Sequence, residues 1–120
     1  TVPGRVELGG RFWLEGKRSQ KQIIDKSPWS AQIDADSLIG QITLRTFRAG
    51  DTFTPFGLGG RTQKLGDFWT NEGLPVKARV SWPLLCDDQG IIWVPGYRIA
   101  DRCQVTPQTE EVMKFQLFEK

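Results

Sequence analysis

Apolar and polar residues alternate over several short stretches of the chain, which is the pattern of half-buried β-strands. Two such stretches meet at Gly9-Gly10, a dipeptide that favours a hairpin turn. Further strands are predicted over residues 21–25, 30–34 and 41–47. A closing strand over residues 112–118 is expected to place three apolar side chains on one buried face: Met113, Phe115 and Leu117.

Two short helices are predicted in the middle of this β pattern. Three apolar residues have the i, i+3, i+4 spacing of one helix face: Leu65, Phe68 and Trp69. Gly73 is suited to the position just after that helix, where the backbone turns left-handed. Pro75 favours the first turn of a second helix over residues 76–81, and Pro83 is expected to end it.

The remainder of the chain reads as turns and strands. A second hairpin is predicted over residues 83–96, followed by a continuing strand over residues 97–105. Earlier in the chain, Asp36 is expected to cap a short turn. This gives about eight strands and two helices, with no linker or internal repeat. The predicted fold class is α+β and mainly β: one small β-sandwich or barrel-like domain over residues 1–120, with two short helices inserted.

Length and charge narrow the function classes only a little. A chain of 120 residues is expected to form one domain with one core, and 38% hydrophobic with 25% charged residues excludes a disordered or fibrous class. The net charge of +2 does not by itself indicate nucleic acid or membrane binding. The charge distribution is more informative. Residues 45–64 contain a single acid, Asp51, and four basic residues: Arg45, Arg48, Arg61 and Lys64.

Several kinds of catalytic and metal site are excluded by composition. The chain has no histidine, so Ser-His and Cys-His nucleophilic sites and most zinc or iron sites cannot be built within it. Cys86 and Cys103 lie beside apolar residues and are predicted to be buried free thiols, with a disulfide as the alternative. No apolar run approaches the roughly 20 residues that span a bilayer, and no signal peptide is visible. A cytoplasmic location is expected. Because the chain begins at Thr1 and not at a methionine, it is also expected to be a piece of a longer protein.

A glycine-rich segment over residues 49–62 carries the most unusual composition. Glycines at four positions and Pro55 predict that it contains no regular element. Such a loop with arginines beside it can bind phosphate through its amides, or it can simply form a tight corner. The segment lacks the Walker and dinucleotide-binding spacings. Three phenylalanines are expected to anchor it to the core: Phe47, Phe53 and Phe56.

Two stretches of the sequence together resemble a known family. They are LRTFRAGDTFTPFGLGGRTQKLGDFW at residues 44–69 and PVKARVSWPLLCDDQGIIWVPGYRIADRCQVT at residues 75–106. The matching positions are Arg45, Arg48, Gly50, Asp51, Phe53, Pro55, Gly57, Lys64, Leu65, Asp67, Phe68, Pro75, Arg79, Pro83, Leu84, Leu85, Trp93, Val94, Pro95, Gly96, Arg98 and Ile99. Trp69 stands where the family pattern has a second phenylalanine. Over residues 31–110 the chain closely resembles the C-terminal domain of bacterial tRNA(Ile)-lysidine synthetase.

The resemblance implies both a fold and a function. It implies a fold related to one in the phenylalanyl-tRNA synthetase β-subunit, and a domain that grips the acceptor stem of isoleucine tRNA. In that family a separate N-terminal domain uses ATP, Mg²⁺ and lysine to convert the wobble cytidine to lysidine. The SGGxDS-type loop of that catalytic domain is absent from this sequence. The chain alone is therefore expected not to be an enzyme, and no catalytic, cofactor-binding or metal-ligating residue is predicted in it.

The residues expected to contact tRNA are those that suit recognition of a duplex stem. Such a stem is read mainly through its phosphates, its 2′-hydroxyls and its shape, which requires cations and close-approaching backbone. The predicted tRNA-binding residues are Arg45, Arg48, Gly59, Gly60, Arg61, Lys64, Arg79 and Arg98. Three acids are interpreted as structural partners of nearby arginines or as helix caps rather than as acid–base groups: Asp51, Asp67 and Asp101.

Two other functions are weighed against RNA binding. A self-standing enzyme with the glycine segment as a nucleotide pocket is disfavoured by the missing motifs and the missing histidine. A docking module without direct RNA contact, for example one that binds the catalytic domain of its parent protein, remains the alternative. An exposed patch formed by any two of Trp13, Trp29 and Trp82 is expected to favour that alternative.

Overall fold

The structure, a computed structural model, describes residues 4–20 and 27–119 of the chain. Within these residues it has ten strands: β1 Gly4–Leu8, β2 Phe12–Gln20, β3 Ser30–Asp34, β4 Thr43–Arg45, β5 Thr52–Phe53, β6 Gln63–Lys64, β7 Leu84–Cys86, β8 Ile91–Val94, β9 Arg98–Ile99 and β10 Glu111–Glu119. Its α-helices are α1 Leu65–Glu72 and α2 Val76–Arg79, and 3₁₀ turns occupy Ala35–Ser37 and Asp101–Cys103. The predicted mainly-β fold with two short helices is therefore confirmed.

The strands form two four-stranded antiparallel sheets and one short ribbon. The first sheet has the order β1-β2-β10-β3, and the second has the order β4-β7-β8-β9. The ribbon pairs β5 with β6 just before α1. Buried side chains from both sheets and from α1 belong to one hydrophobic cluster, so the described residues share a single core.

The closing strand shows how sequence pattern sets packing. Met113, Phe115 and Leu117 are buried on one face of β10, as the alternation predicts. Phe115 lies opposite Gly16 of β2, and a Cβ atom at that position would approach the Phe115 ring to 2.8 Å. Gly16 therefore lets a fully buried aromatic ring lie flat across the neighbouring strand.

The helix predictions are also confirmed. Leu65, Phe68 and Trp69 of α1 are almost completely buried, and Gly73 ends the helix with a left-handed φ of 84°. The second helix, α2, begins directly after Pro75. Among the described residues, neither helix is long or apolar enough to cross a membrane.

Three local predictions need correction, and a fourth falls outside the described residues. The glycine segment is not wholly irregular, because the Phe53 side chain is buried and holds β5 against β6. Residues 97–105 do not continue as one strand, since the chain turns after Ala100 into a 3₁₀ turn. The cap before the earlier 3₁₀ turn is Asp34 rather than Asp36, and Asp34 Oδ1 accepts a hydrogen bond from the Asp36 amide at 3.0 Å. The strand predicted over residues 21–25 lies outside the described residues.

Both cysteines are buried free thiols, as their apolar neighbours predict. Burial raises the pKa of Cys86 to about 11. Burial also raises the pKa of Cys103. The two thiols therefore behave as small apolar groups of the core.

Candidate nucleic-acid interface

The glycine loop, defined here as residues 49–62, is closed at its base by the β5–β6 ribbon. Thr52 pairs with Lys64, and the hydroxyl groups of Thr54 and Thr62 lie 2.6 Å apart. Because side chains alternate across a ribbon, Thr52 and Lys64 face outward while Phe53 enters the core. The loop is thus fixed at both ends and presents its polar face to solvent.

Positive backbone angles explain the glycines of this loop. Gly50, Gly57, Gly59 and Gly60 have φ between 71° and 90°, where residues with a side chain are strained. Gly57 also leaves space for a neighbouring side chain, because a Cβ atom at this position would lie 3.0 Å from Arg98 Nη1. The predicted loop-shaping residues Gly59 and Gly60 therefore have the backbone geometry expected of them.

Arg45 is held at the start of the loop by Asp51. Its Nη1 and Nη2 atoms donate to the two carboxylate oxygens of Asp51, both at 2.9 Å, and Nη1 also donates to the Thr46 carbonyl. Asp51 further accepts from the Arg48 amide at 2.8 Å. Although burial by itself raises the pKa of Asp51, the hydrogen bonds from Arg45 and the Arg48 amide hold it below its ordinary value. The interpretation of Asp51 as a structural partner of Arg45 is confirmed.

Arg79 is bonded back onto α1. Its Nε and Nη2 atoms donate to the Leu74 carbonyl at 3.0 and 2.8 Å, and its Nη1 donates to the Gly66 carbonyl at 3.3 Å. Its guanidinium lies 6.0 Å from the centre of the Trp69 ring. Arg79 therefore fastens α2 to both ends of α1.

Arg98 lies behind the tip of the glycine loop. Its Nη1 donates to the Phe56 carbonyl at 3.2 Å, and its Nε lies 3.5 Å from Glu72 Oε2. The side chain retains 38% of its exposure. It is therefore partly bonded inward and partly open to solvent.

The other three predicted cations point away from the core. Arg48, Arg61 and Lys64 are exposed, and their side chains make no hydrogen bond or ion pair with any described residue. They lie before, within and after the glycine loop, so the ribbon brings them to one part of the fold. A further exposed cation that the sequence did not single out, Lys77, lies on α2 two residues before Arg79.

Among the described residues, Asp67 and Asp101 do not form the arginine pairs expected of them. Arg102 pairs with Asp87 at 2.6 Å, and Arg98 with Glu72, so Asp101 is the ion-pair partner of neither arginine. Asp67 is exposed in the first turn of α1, where Lys64 occupies the capping position. Asp87 is the acid that sequence reasoning missed; its aspartate-turn geometry over residues 87–90 is the signal that could have identified it.

Asp87 stabilises the turn between β7 and β8 of the second sheet. Its carboxylate is fully buried and accepts hydrogen bonds from the amides of Ile39, Gln89 and Gly90 as well as from Arg102. Although burial by itself raises the pKa of Asp87, these hydrogen bonds hold it below its ordinary value. Its role is structural, and no group of three His, Cys, Asp or Glu residues in the described chain could hold a metal ion.

Two of the three phenylalanines expected to anchor the loop are only partly buried. Phe53 anchors the loop as predicted, but Phe47 and Phe56 are 42% and 44% exposed, so the expectation that they are core anchors is wrong. The Phe47 ring leans on Trp69 at 5.8 Å, whereas Phe56 is held by its backbone and not by its ring. The loop therefore presents aromatic surface beside its cations.

Two of the three tryptophans under consideration form a partly exposed pair. Trp29 is 41% exposed and Trp82 is half-buried, with ring centres 5.8 Å apart. Both line a groove of about 630 Å³ that also includes Leu117. Trp13 is half-buried and stacks on Phe118 at 5.1 Å.

Comparison with known families identifies what this arrangement is similar to. The family described as TilS substrate C-terminal domain matches residues 42–116. A tRNA(Ile)-lysidine synthase from Parabacteroides distasonis is 36% identical over 75% of this chain and 20% of its own length. A tRNA(Ile)-lysidine synthase from Caldanaerobacter subterraneus is 33% identical over 79% of this chain and 20% of its own length. The chain thus spans about a fifth of the length of these relatives.

Solved structures share the fold. A crystal structure of a TilS C-terminal domain aligns with 99% of this chain and 92% of its own, with a TM-score of 0.80 and 23% identity. An N-terminal fragment of the phenylalanyl-tRNA synthetase β-subunit from Pyrococcus horikoshii aligns with 76% of this chain and 28% of its own, with a TM-score of 0.63 and 20% identity. At these identities the likeness is one of fold.

Proposed function

Because this chain belongs to the family of TilS substrate C-terminal domains, we propose that it binds the acceptor stem of an isoleucine tRNA. It does so as one part of a tRNA(Ile)-lysidine synthase. The chain supplies binding, while a separate domain uses ATP and Mg²⁺ to attach lysine to the wobble cytidine. The partners of the chain are then the tRNA and that catalytic domain.

The observation that supports this proposal is the division of the six predicted cations into two groups. Arg45, Arg79 and Arg98 hold the loop and the two helices through hydrogen bonds to carboxylates and carbonyls. Arg48, Arg61 and Lys64 are exposed around a loop whose shape is fixed by glycine. Exposed cations on a rigid loop fit a duplex backbone, since phosphates are bound by charge and by position.

Within this proposal the eight predicted residues have different roles. Arg48, Arg61 and Lys64 contact phosphates, and the amides near Gly59 and Gly60 approach the backbone closely. Arg98 uses the part of its guanidinium that remains open. Arg45 and Arg79 act by holding the surface in place, because their donors are already engaged.

Fluorescence anisotropy with a labelled acceptor-stem minihelix tests this role. The informative variant is Arg48→Ala/Arg61→Ala/Lys64→Ala. At 50 mM salt we expect it to bind at least about 30-fold more weakly than the unaltered chain, because three phosphate contacts are lost. A loss of this size with unchanged thermal stability locates the contact at the loop.

A matched control separates local contact from net charge. Arg11→Ala/Lys17→Ala/Arg18→Ala removes three exposed cations from the first sheet and its hairpin turn, two of which, Arg11 and Arg18, form ion pairs with Glu119 and Glu111. Each triple variant lowers the formal net charge from +2 to −1, since each removes three positive charges. Equal weakening by both variants would mean that RNA binding follows net charge and not the loop.

A second function is supported by the tryptophan groove. Trp82 donates from Nε1 to the Pro95 carbonyl at 2.9 Å, and a Cβ atom at Gly96 would lie 3.3 Å from both the Trp29 and Trp82 rings. This fixed apolar wall suits a protein partner. We propose the catalytic part of the parent protein as the occupant, because the relatives extend far beyond the length of this chain.

Calorimetry with the separately produced catalytic part tests the docking function. Trp29→Ser is expected to weaken that association about tenfold or more, because aromatic residues at the centre of an interface carry much of its energy. The loop triple variant is expected to leave it unchanged. An unaltered affinity with Trp29→Ser would exclude the groove as the docking site.

A further inference from the structure

A cleft of about 500 Å³ lies between the first sheet and the tip of the glycine loop. One wall is the backbone of β3 with Gln32, and the opposite wall carries Phe56, Tyr97 and Arg98. Gln104 lies at its edge. The volume suits a small organic ligand, because such pockets typically enclose about 300–1,000 Å³.

The position of Phe56 in this cleft is fixed by its main chain. Its amide donates to the Ile99 carbonyl at 2.9 Å, and its carbonyl accepts from Arg98 Nη1. Pro55, the preceding residue, forms a bridge with Ala100. The ring nevertheless remains 44% exposed, so it is a rigid aromatic surface that the core does not cover.

The groups around the cleft match the parts of a nucleotide. Aromatic rings stack on bases, and carboxamides of the glutamine type pair with base edges. Arg98 Nη2 makes no hydrogen bond to a described residue and can reach a phosphate. Among the described residues no carboxylate lines this cleft, although Glu72 lies 3.5 Å behind Arg98 Nε; by contrast, Glu119 lines the tryptophan groove and Asp101 lines a smaller cavity beside Thr52.

The cleft and the proposed RNA surface share the glycine loop. Phe56 lines the cleft and Arg61 belongs to the same loop, whose base is closed by the contact between Thr54 and Thr62. A paired base is hidden in its stack, so only an unpaired nucleotide can place its face against Phe56.

We propose that this cleft binds one unpaired nucleotide of the RNA, next to the duplex that the loop cations hold. The base stacks on Phe56, its edge meets Gln32 or Gln104, and its phosphate contacts Arg98. This site rests on the proposed function, because the duplex contacts bring the nucleotide to the cleft. It adds recognition of the single-stranded end of the stem to recognition of its backbone.

Binding of blunt and tailed RNA tests the site. The same minihelix is prepared with a blunt end and with a short unpaired 3′ tail carrying 2-aminopurine, whose fluorescence reports stacking. The unaltered chain is expected to bind the tailed RNA about 5- to 100-fold more tightly, which corresponds to stacking of one base. Adenosine monophosphate is expected to compete with the tail at high concentration and to leave blunt binding unchanged.

Two aromatic variants provide the contrast. Phe56→Ala is expected to abolish the gain from the tail, while Phe56→Trp retains it. Phe47→Ala is the matched control, since Phe47 is 42% exposed but does not line the cleft. The loop triple variant weakens both RNAs by the same factor, so the tailed-to-blunt ratio is preserved.

The outcomes separate this site from the proposed function. If the tail adds nothing while blunt RNA still binds with steep salt dependence, the nucleotide site is wrong and the duplex surface stands. A gain that survives Phe56→Ala would place the tail elsewhere and also overturn the site. If adenosine monophosphate binds but the tail adds no affinity, the cleft binds free nucleotide and not a nucleotide of the RNA. If neither RNA binds, both proposals are wrong.

Discussion

The Arg45–Asp51 ion pair gives the most quantitative prediction about the glycine loop. Replacing Asp51 with alanine removes three hydrogen bonds, two from the Arg45 guanidinium and one from the Arg48 amide. The Arg45 and Asp51 side chains are only 19% and 12% exposed, so the cost of breaking this pair is expected to be close to that of a buried ion pair. An exposed pair contributes about 0–1 kcal/mol, whereas removing one partner of a buried pair costs about 3–5 kcal/mol.

We therefore expect Asp51→Ala to lower the free energy of unfolding by about 3 kcal/mol. For a domain of 120 residues this corresponds to a fall in Tm of about 12 °C, since 1 kcal/mol shifts Tm by about 4 °C at this size. Urea unfolding followed by tryptophan fluorescence measures the free energy directly. Arg48→Ala is the control; its side chain makes no bond to a described residue, and its effect is expected to stay within about 0.5 kcal/mol.

A double-mutant cycle tests whether the loss belongs to the pair. Arg45→Ala and Asp51→Ala together are expected to cost about 2 kcal/mol less than the sum of the single changes, because each single change already breaks the same bonds. A cost below about 1 kcal/mol for Asp51→Ala, or additive effects in the cycle, would refute the view that this pair holds the loop.

Two further predictions concern stability. Asp51 and Asp87 both have a folded-state pKa below the unfolded value of about 3.9, so the unfolded chain binds more protons in acid than the folded chain does. The free energy of unfolding is therefore expected to be constant above about pH 5 and to fall below about pH 4. Asp87→Asn is expected to make that fall smaller in urea titrations from pH 3 to 7. Gly57→Ala is expected to lower stability by about 1–2 kcal/mol, because φ is 90° at that position and a residue with a side chain is strained there; unchanged thermal unfolding would contradict this strain.

Elements with a strong local pattern were predictable from the sequence. The spacing of Leu65, Phe68 and Trp69 with Gly73 defines α1, because one helix face and one left-handed residue are local features. The first hairpin and the alternation in β10 follow for the same reason. The residue pattern predicts the mainly-β class with two helices, and the family resemblance of residues 31–110, which the comparisons support, adds the relation to known folds.

The functions of individual side chains were less predictable, because hydrogen bonds over long sequence distances decide them. Arg79 and Arg48 look alike in the sequence, yet only Arg79 finds carbonyl acceptors, at Leu74 and Gly66. The position of Phe56 depends on a main-chain hydrogen bond to Ile99, more than 40 positions away. A pattern of residue types cannot show which guanidinium groups are already engaged.

The salt dependence of minihelix binding tests whether the exposed cations of the glycine loop hold RNA. If Arg48, Arg61 and Lys64 each neutralise one phosphate, affinity falls about 40-fold between 50 and 200 mM salt, a slope of about −2.7 in log–log form. The loop triple variant then loses most of that slope, while the control triple variant on the first sheet retains it. An equal slope for the unaltered chain and the loop variant would mean that the exposed cations of the glycine loop are not the groups that hold RNA.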